Sequence, residues 1–111
     1  MFSSGFTFGF PPEDYALTAY LNLLDQVAPG CNWMIAGLDV NVLPLIPRVI
    51  MESGHVRVGL EDAPFGCEKT NIALVEDAVN SIETCGGELA RAPEVRLAAS
   101  SDKLEAMAAG M

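Results

Sequence analysis

The chain has 111 residues, which suits one modest domain, and half of them are hydrophobic, which is enough to build a core. Six Lys and Arg against fifteen Asp and Glu give a net charge of -9, so no basic patch can offset phosphate repulsion, and nucleic acid and anionic membrane surfaces are not expected partners. The segment before Phe6 lacks a basic region, and no apolar run approaches the ~18 residues of a membrane span, so a cytoplasmic location is expected.

Phe6 to Phe10 is a compact aromatic and β-branched run ended by Pro11-Pro12, and it predicts a buried strand. A helix is expected next. Leu17, Tyr20, Leu21, Leu24 and Val27 recur at helical spacing, Pro12-Glu13-Asp14 suits a first turn, and Pro29-Gly30 stops the helix. Asn32 to Leu38 predicts a second apolar strand, and Asp39 to Asn41 a polar turn. Pro44 and Pro47 restrict the following helix to a short one that begins near Pro47 and closes at Ser53-Gly54.

The third strand is expected over His55 to Leu60, followed by a loop from Glu61 to Lys69. The next helix is the clearest in the chain: Thr70 or Asn71 can cap it, Ile72, Val75, Val79 and Ile82 form its expected buried stripe, and Gly86-Gly87 ends it. Pro93 to Ala99 predicts a last helix on the outside, and Ser100 to Met111 a weakly helical tail. Three strand and helix units with apolar strands imply a parallel sheet covered by helices. The expected division is a domain over residues 1–99 and a tail over 100–111.

Cys31, Cys67 and Cys85 are odd in number and form no C-x-x-C pair, so reduced, mostly structural thiols are expected rather than a disulfide framework or a zinc knuckle. Cys67 lies closest to the carboxylates discussed next.

Gly54-His55-Val56-Arg57-Val58-Gly59-Leu60-Glu61-Asp62 holds the chemistry. In an extended strand Arg57, Gly59 and Glu61 share one face while Val56, Val58 and Leu60 share the other. Arg57 would then lie about 13 Å from Glu61 along the strand, with Gly59 leaving space between them. Asp62 would point away from Glu61 unless a turn brings it back. From spacing alone, adjacent acids after a strand are ordinary turn residues, and Arg57 a strand charge in a structural ion pair. His55, the only histidine, sits at the opposite end of the strand and suits a structural role. Trp33 suits packing, and Asn71 suits capping more than a reach to a neighbouring loop.

At this motif the chain resembles the β-keto acid cleavage enzymes. The resemblance extends through Asn32 to Gly37, Val42 to Leu45, Gly54 to Phe65, Thr70-Asn71 with Leu74-Val75, and Gly87 to Ala90 through Glu94-Val95-Arg96. It implies the sixth to eighth β/α units of a (β/α)₈ TIM barrel, an α/β fold whose parallel sheet is incomplete within this chain. It also implies Glu61 as one ligand of a catalytic Zn²⁺ whose two histidines, a His-x-His pair, belong to the missing first units. Asp62 is implied as the general base and Arg57 as its electrostatic support. Gly37-Leu38-Asp39 lies where barrels often bind phosphate groups, which makes a coenzyme contact conceivable there.

The activity implied is conversion of a β-keto acid and acetyl-CoA to acetoacetate and an acyl-CoA, with the chain a fragment inactive alone. The alternative is a non-catalytic partial barrel that oligomerises or pairs with a chain supplying the missing units, because unpaired parallel edges favour association. An in-frame upstream continuation containing His-x-His would identify a fragment.

Overall fold

The computed structural model describes residues 1–5 and 9–108, with side chains up to residue 100. The chain is a small α/β structure with short parallel strands: β1 (Phe2–Ser3), α1 (Asp14–Val27), β2 (Met34–Ile35), β3 (Gly37–Leu38), α2 (Ile46–Met51), β4 (His55–Val56), α3 (Asn71–Thr84) and α4 (Ala92–Ala108). A 3₁₀ turn over Leu43–Leu45 leads into α2.

The middle strand expected over Asn32 to Leu38 is used on both edges. Its first half pairs in parallel with β4, Met34 opposite His55 and Ile35 opposite Val56. Its second half pairs in parallel with β1, Phe2 opposite Gly37 and Ser3 opposite Leu38. The two two-stranded ladders, β1-β3 and β2-β4, place the units in the order first, middle, last, the arrangement consecutive strand and helix units usually take.

The expected first strand is displaced. Residues 6–8 of the Phe6–Phe10 run lie outside the described residues, and the ladder forms at Phe2–Ser3 instead. Phe10 makes an isolated parallel bridge with Phe2 and is 46% exposed. Phe2 is buried and meets the Tyr20 ring edge-on at 5.2 Å. The Tyr20 hydroxyl donates to the Met1 carbonyl, which ties β1 to α1.

One core gathers Phe2, Ala16, Leu17, Ile35, Val42, Leu45 and Val49, from α1, the strands, the 3₁₀ turn and α2. A second joins Ile46 on α2 to Ala78 and Ile82 on α3. α1 buries Ala16 and Leu17, but Val27, expected on the buried stripe, is 69% exposed. α3 is rotated from expectation. Of the expected stripe Ile82 is buried and Val79 half-buried, but Ile72 is 71% and Val75 48% exposed, because α3 packs through Ala78 and Ile82 with Leu74 half-buried on the same row.

α2 starts at Ile46, one residue before Pro47, and the chain leaves it through Ser53, held at φ 60°. Gly54 follows for a steric reason: a Cβ there would overlap the Trp33 ring, which lies against the bare backbone and packs on the first core. α4 passes the expected end at Ala99 and crosses the expected boundary there, continuing to Ala108. From Lys103 to Ala108 the continuation consists of good helix formers, and it has no internal Gly or Pro. No helix of the described residues is long and apolar enough to cross a membrane.

Candidate active site

The third strand is shorter than its apolar pattern. The ladder covers His55–Val56, and the Arg57 amide adds one more bond by donating to the Ile35 carbonyl at 2.9 Å. The chain then turns. The amides of Asp62 and Ala63 both donate to the Gly59 carbonyl at 3.1 Å, closing a turn where an extended strand was expected. Arg57, Gly59 and Glu61 therefore do not form one continuous strand face.

The turn brings Asp62 back onto Arg57. Arg57 Nε donates to Asp62 Oδ2 at 3.0 Å and Nη2 to Oδ1 at 2.6 Å, a two-pronged charge-assisted contact. Asp62 is 4% exposed and Glu61, its neighbour, is exposed. The hydrogen bond from Arg57 to Asp62, reinforced by the charge of that carboxylate, raises the guanidinium pKa above its ordinary value, and Glu61 adds a smaller push in the same direction.

Three further contacts fix the turn. The Leu60 amide donates to Asn71 Oδ1 at 2.8 Å, and the Phe65 amide donates to Asp39 Oδ1 at 2.7 Å. Gly37 permits close passage of the Asp62 carbonyl, which a Cβ would meet at 3.2 Å. Asn71 thus reaches the neighbouring loop, and Thr70 is the cap, its hydroxyl accepting from the Ala73 amide at 3.1 Å. For Asn71 the reach to a neighbouring loop, the less favoured of its two sequence readings, is the one found, whereas Asp39 is not legible as a loop tether; the sequence signal that exists is turn chemistry, since short polar side chains after a strand or before a helix bond nearby backbone.

Arg57 and Asp62 border a pocket of about 160 Å³ with Val42, Leu43, Cys67 and Leu74. Glu61 does not line it. Lys69 also borders it, and hydrogen bonding to Asp77 raises the Lys69 pKa above its ordinary value. The walls are residues that follow β3 and β4, at the strands' C-terminal ends, together with the start of α3.

His55 is exposed at the other end of β4. All three cysteines are free. Cys67 is half-buried, whereas Cys31 and Cys85 are exposed, so the expectation of structural thiols fails for those two. Among the described residues no group of three His, Cys, Asp or Glu side chains could hold a metal ion. Zinc bound by this chain alone does not fit that donor set, because a zinc centre takes three or four protein ligands and no such group forms among the described residues.

Fold and site together define a class: a parallel α/β chain with an arginine-braced aspartate at a pocket beyond the strand ends. A model of the beta-keto acid cleavage enzyme family matches residues 1–99, and the chain belongs to that family. It is 31% identical over 90 residues to 3-dehydrocarnitine:acetyl-CoA trimethylamine transferase of Rhizobium meliloti, covering 77% of this chain and 29% of the relative. It is 32% identical over 76 residues to 3-keto-5-aminohexanoate cleavage enzyme of Fusobacterium nucleatum, covering 65% of this chain and 28% of the relative. The chain thus spans less than a third of the length of these curated relatives. No solved structure matches it significantly.

Proposed function

We propose that the chain supplies the last three β/α units of a (β/α)₈ barrel that converts a β-keto acid and acetyl-CoA to acetoacetate and an acyl-CoA. The observation that supports this reading most directly is the Arg57–Asp62 pair on the pocket wall, within the stretch matched to the family. On this reading residues 1–99 are the barrel portion, residues 100–111 a tail, and the location cytoplasmic.

Asp62 is the base. Each of its oxygens accepts one bond from Arg57 and retains a further lone pair, so the carboxylate can accept a proton from the β-keto acid without leaving its brace. Arg57 fixes the carboxylate's direction through its two hydrogen bonds. Val42, Leu43 and Leu74 supply an apolar wall beside the pair.

Glu61 is one ligand for Zn²⁺, with the two histidines coming from outside the 111 residues. When complete, such a centre polarises a carbonyl oxygen. No step in this chain depends on it alone.

A second role, pairing with another chain or copy that completes the barrel, is favoured by the apolar side chains left in water: Leu60 at 48%, Phe65 at 69%, Ile72 at 71% and Val75 at 48% exposure. The purified 111-residue chain is expected to bind zinc weakly and to form no acetoacetate. Turnover is expected from the complete reading frame, or on adding a polypeptide that carries the first five units. Turnover by the chain alone would overturn the incomplete-site reading, and a complete frame without turnover would overturn the assignment of activity. A stable, well-folded monomer in analytical ultracentrifugation would count against the pairing role.

A further inference from the structure

We propose that Asp39 and Asn71 are positioning residues that aim the Arg57–Asp62 pair by clamping the loop between them at two points. The clamp rests on the reading of Asp62 as the base. Its geometry does not.

The loop leaves β4 at Arg57 and returns to helix at Asn71. At its near end the Leu60 amide is held by the Asn71 carboxamide, two residues before Asp62. At its far end the Phe65 amide is held by the Asp39 carboxylate, three residues after Asp62. Each anchor belongs to a separately fixed element. Asn71 is the first residue of α3, which is capped by Thr70 and seated in the core through Ala78 and Ile82. Asp39 directly follows β3, whose partner is β1.

Asp39 reaches Phe65 from a left-handed backbone, φ 58°, a conformation that costs a non-glycine residue energy. Asp tolerates it better than most. The loop therefore takes its position from the sheet on one side and from α3 on the other, and Asp62 lies between the anchors. Both anchors are acceptors, so replacing either by its isosteric acid or amide keeps an oxygen where the bond is made, whereas alanine removes it.

The experiment uses the 111-residue chain with Asn71→Ala, Asn71→Asp, Asp39→Ala and Asp39→Asn made singly. Hydrogen exchange is followed by NMR at Arg57 Nε–H and at the Ile82 amide in the core of α3. Either alanine variant is expected to speed exchange at Arg57 Nε–H about tenfold, the scale of one lost hydrogen bond, with Ile82 unchanged. Asn71→Asp and Asp39→Asn are expected to restore slow exchange.

Unchanged exchange at Arg57 in both alanine variants would overturn the clamp. So would acceleration by the same factor at Ile82, since that reports loss of the whole fold. If one alanine variant fails to fold, the other tether still decides the matter, because each bond is tested separately. Turnover of Asp62→Asn in the complete enzyme tests the base independently: its failure leaves the exchange result standing, and failure of the clamp leaves the base standing.

Discussion

Arg57 grips both carboxylate oxygens of Asp62 across five residues of chain, with Nε at 3.0 Å and Nη2 at 2.6 Å. The partner positions are unlike in exposure: the Asp62 side chain is 6% and the Arg57 side chain 44% exposed. A nearly dry carboxylate is thus braced by a cation that still touches water. An ionised group withdrawn from solvent needs such a partner, and a forked guanidinium also fixes its orientation.

Changing either member should have unequal effects on turnover in a catalytically complete enzyme containing this chain. Asp62→Asn removes the proton acceptor and is expected to lower kcat by about 100- to 10,000-fold. Arg57→Lys keeps the charge but loses the second prong, with an expected fall of about tenfold. Acetoacetate formation under saturating substrate measures both. Equal losses for the two variants would count against a base and a brace with separate roles.

Much of the chain's organisation is visible in its residues, and the failures have physical causes. Alternation of apolar strands with amphipathic helices announces three parallel units, and Thr70 announces the start of α3. The two-residue ladder at Phe2–Ser3 is too short to have a period. Helical spacing shows that α3 has an apolar side, but Ile72 with Val75 and Leu74 with Ala78 lie on adjacent rows, and only packing on α2 selects the second. The resemblance links Arg57 to Asp62, but the strand pattern itself does not show the turn that joins them. Val56, Val58 and Leu60 alternate as a strand should, yet the Gly59 carbonyl accepts two amides of a turn and ends the extension.

Gly54 faces Trp33 without a side chain between them. Gly54→Ala is expected to force the indole from its seat on the core and to cost about 1–3 kcal/mol, the usual cost of overpacking. Urea unfolding followed by the fluorescence of this single tryptophan reports both the lower midpoint and the changed surroundings of the ring. A midpoint equal to that of the parent chain would show that the ring has room to move aside.

The cap and the clamp sit on consecutive residues, Thr70 and Asn71, but should separate experimentally. Thr70→Ala deprives the Ala73 amide of its acceptor and is expected to destabilise the chain by about 1 kcal/mol. Urea titration measures it. Exchange at Arg57 Nε–H should stay slow in this variant, since Leu60 keeps its bond to Asn71.

Lys69 reaches along the start of α3 to Asp77, Nζ lying 2.5 Å from Oδ2. Hydrogen bonding to that carboxylate, and then its charge, raises the folded-state pKa of Lys69 above its ordinary 10.5. The sign follows from linkage: the folded state holds this proton more tightly, so the stabilisation is fully present below 10.5 and is lost as pH rises through the higher folded value. Lys69 is largely exposed, so the contribution is small and screened by salt. Lys69→Met should therefore lower the melting temperature slightly at neutral pH and low salt, and by less in high salt. As pH rises from neutral, the difference from the parent chain should vanish only at strongly alkaline pH. Thermal scans of both proteins across pH test this, and a difference that disappears between pH 5 and 8 would assign the effect to another group.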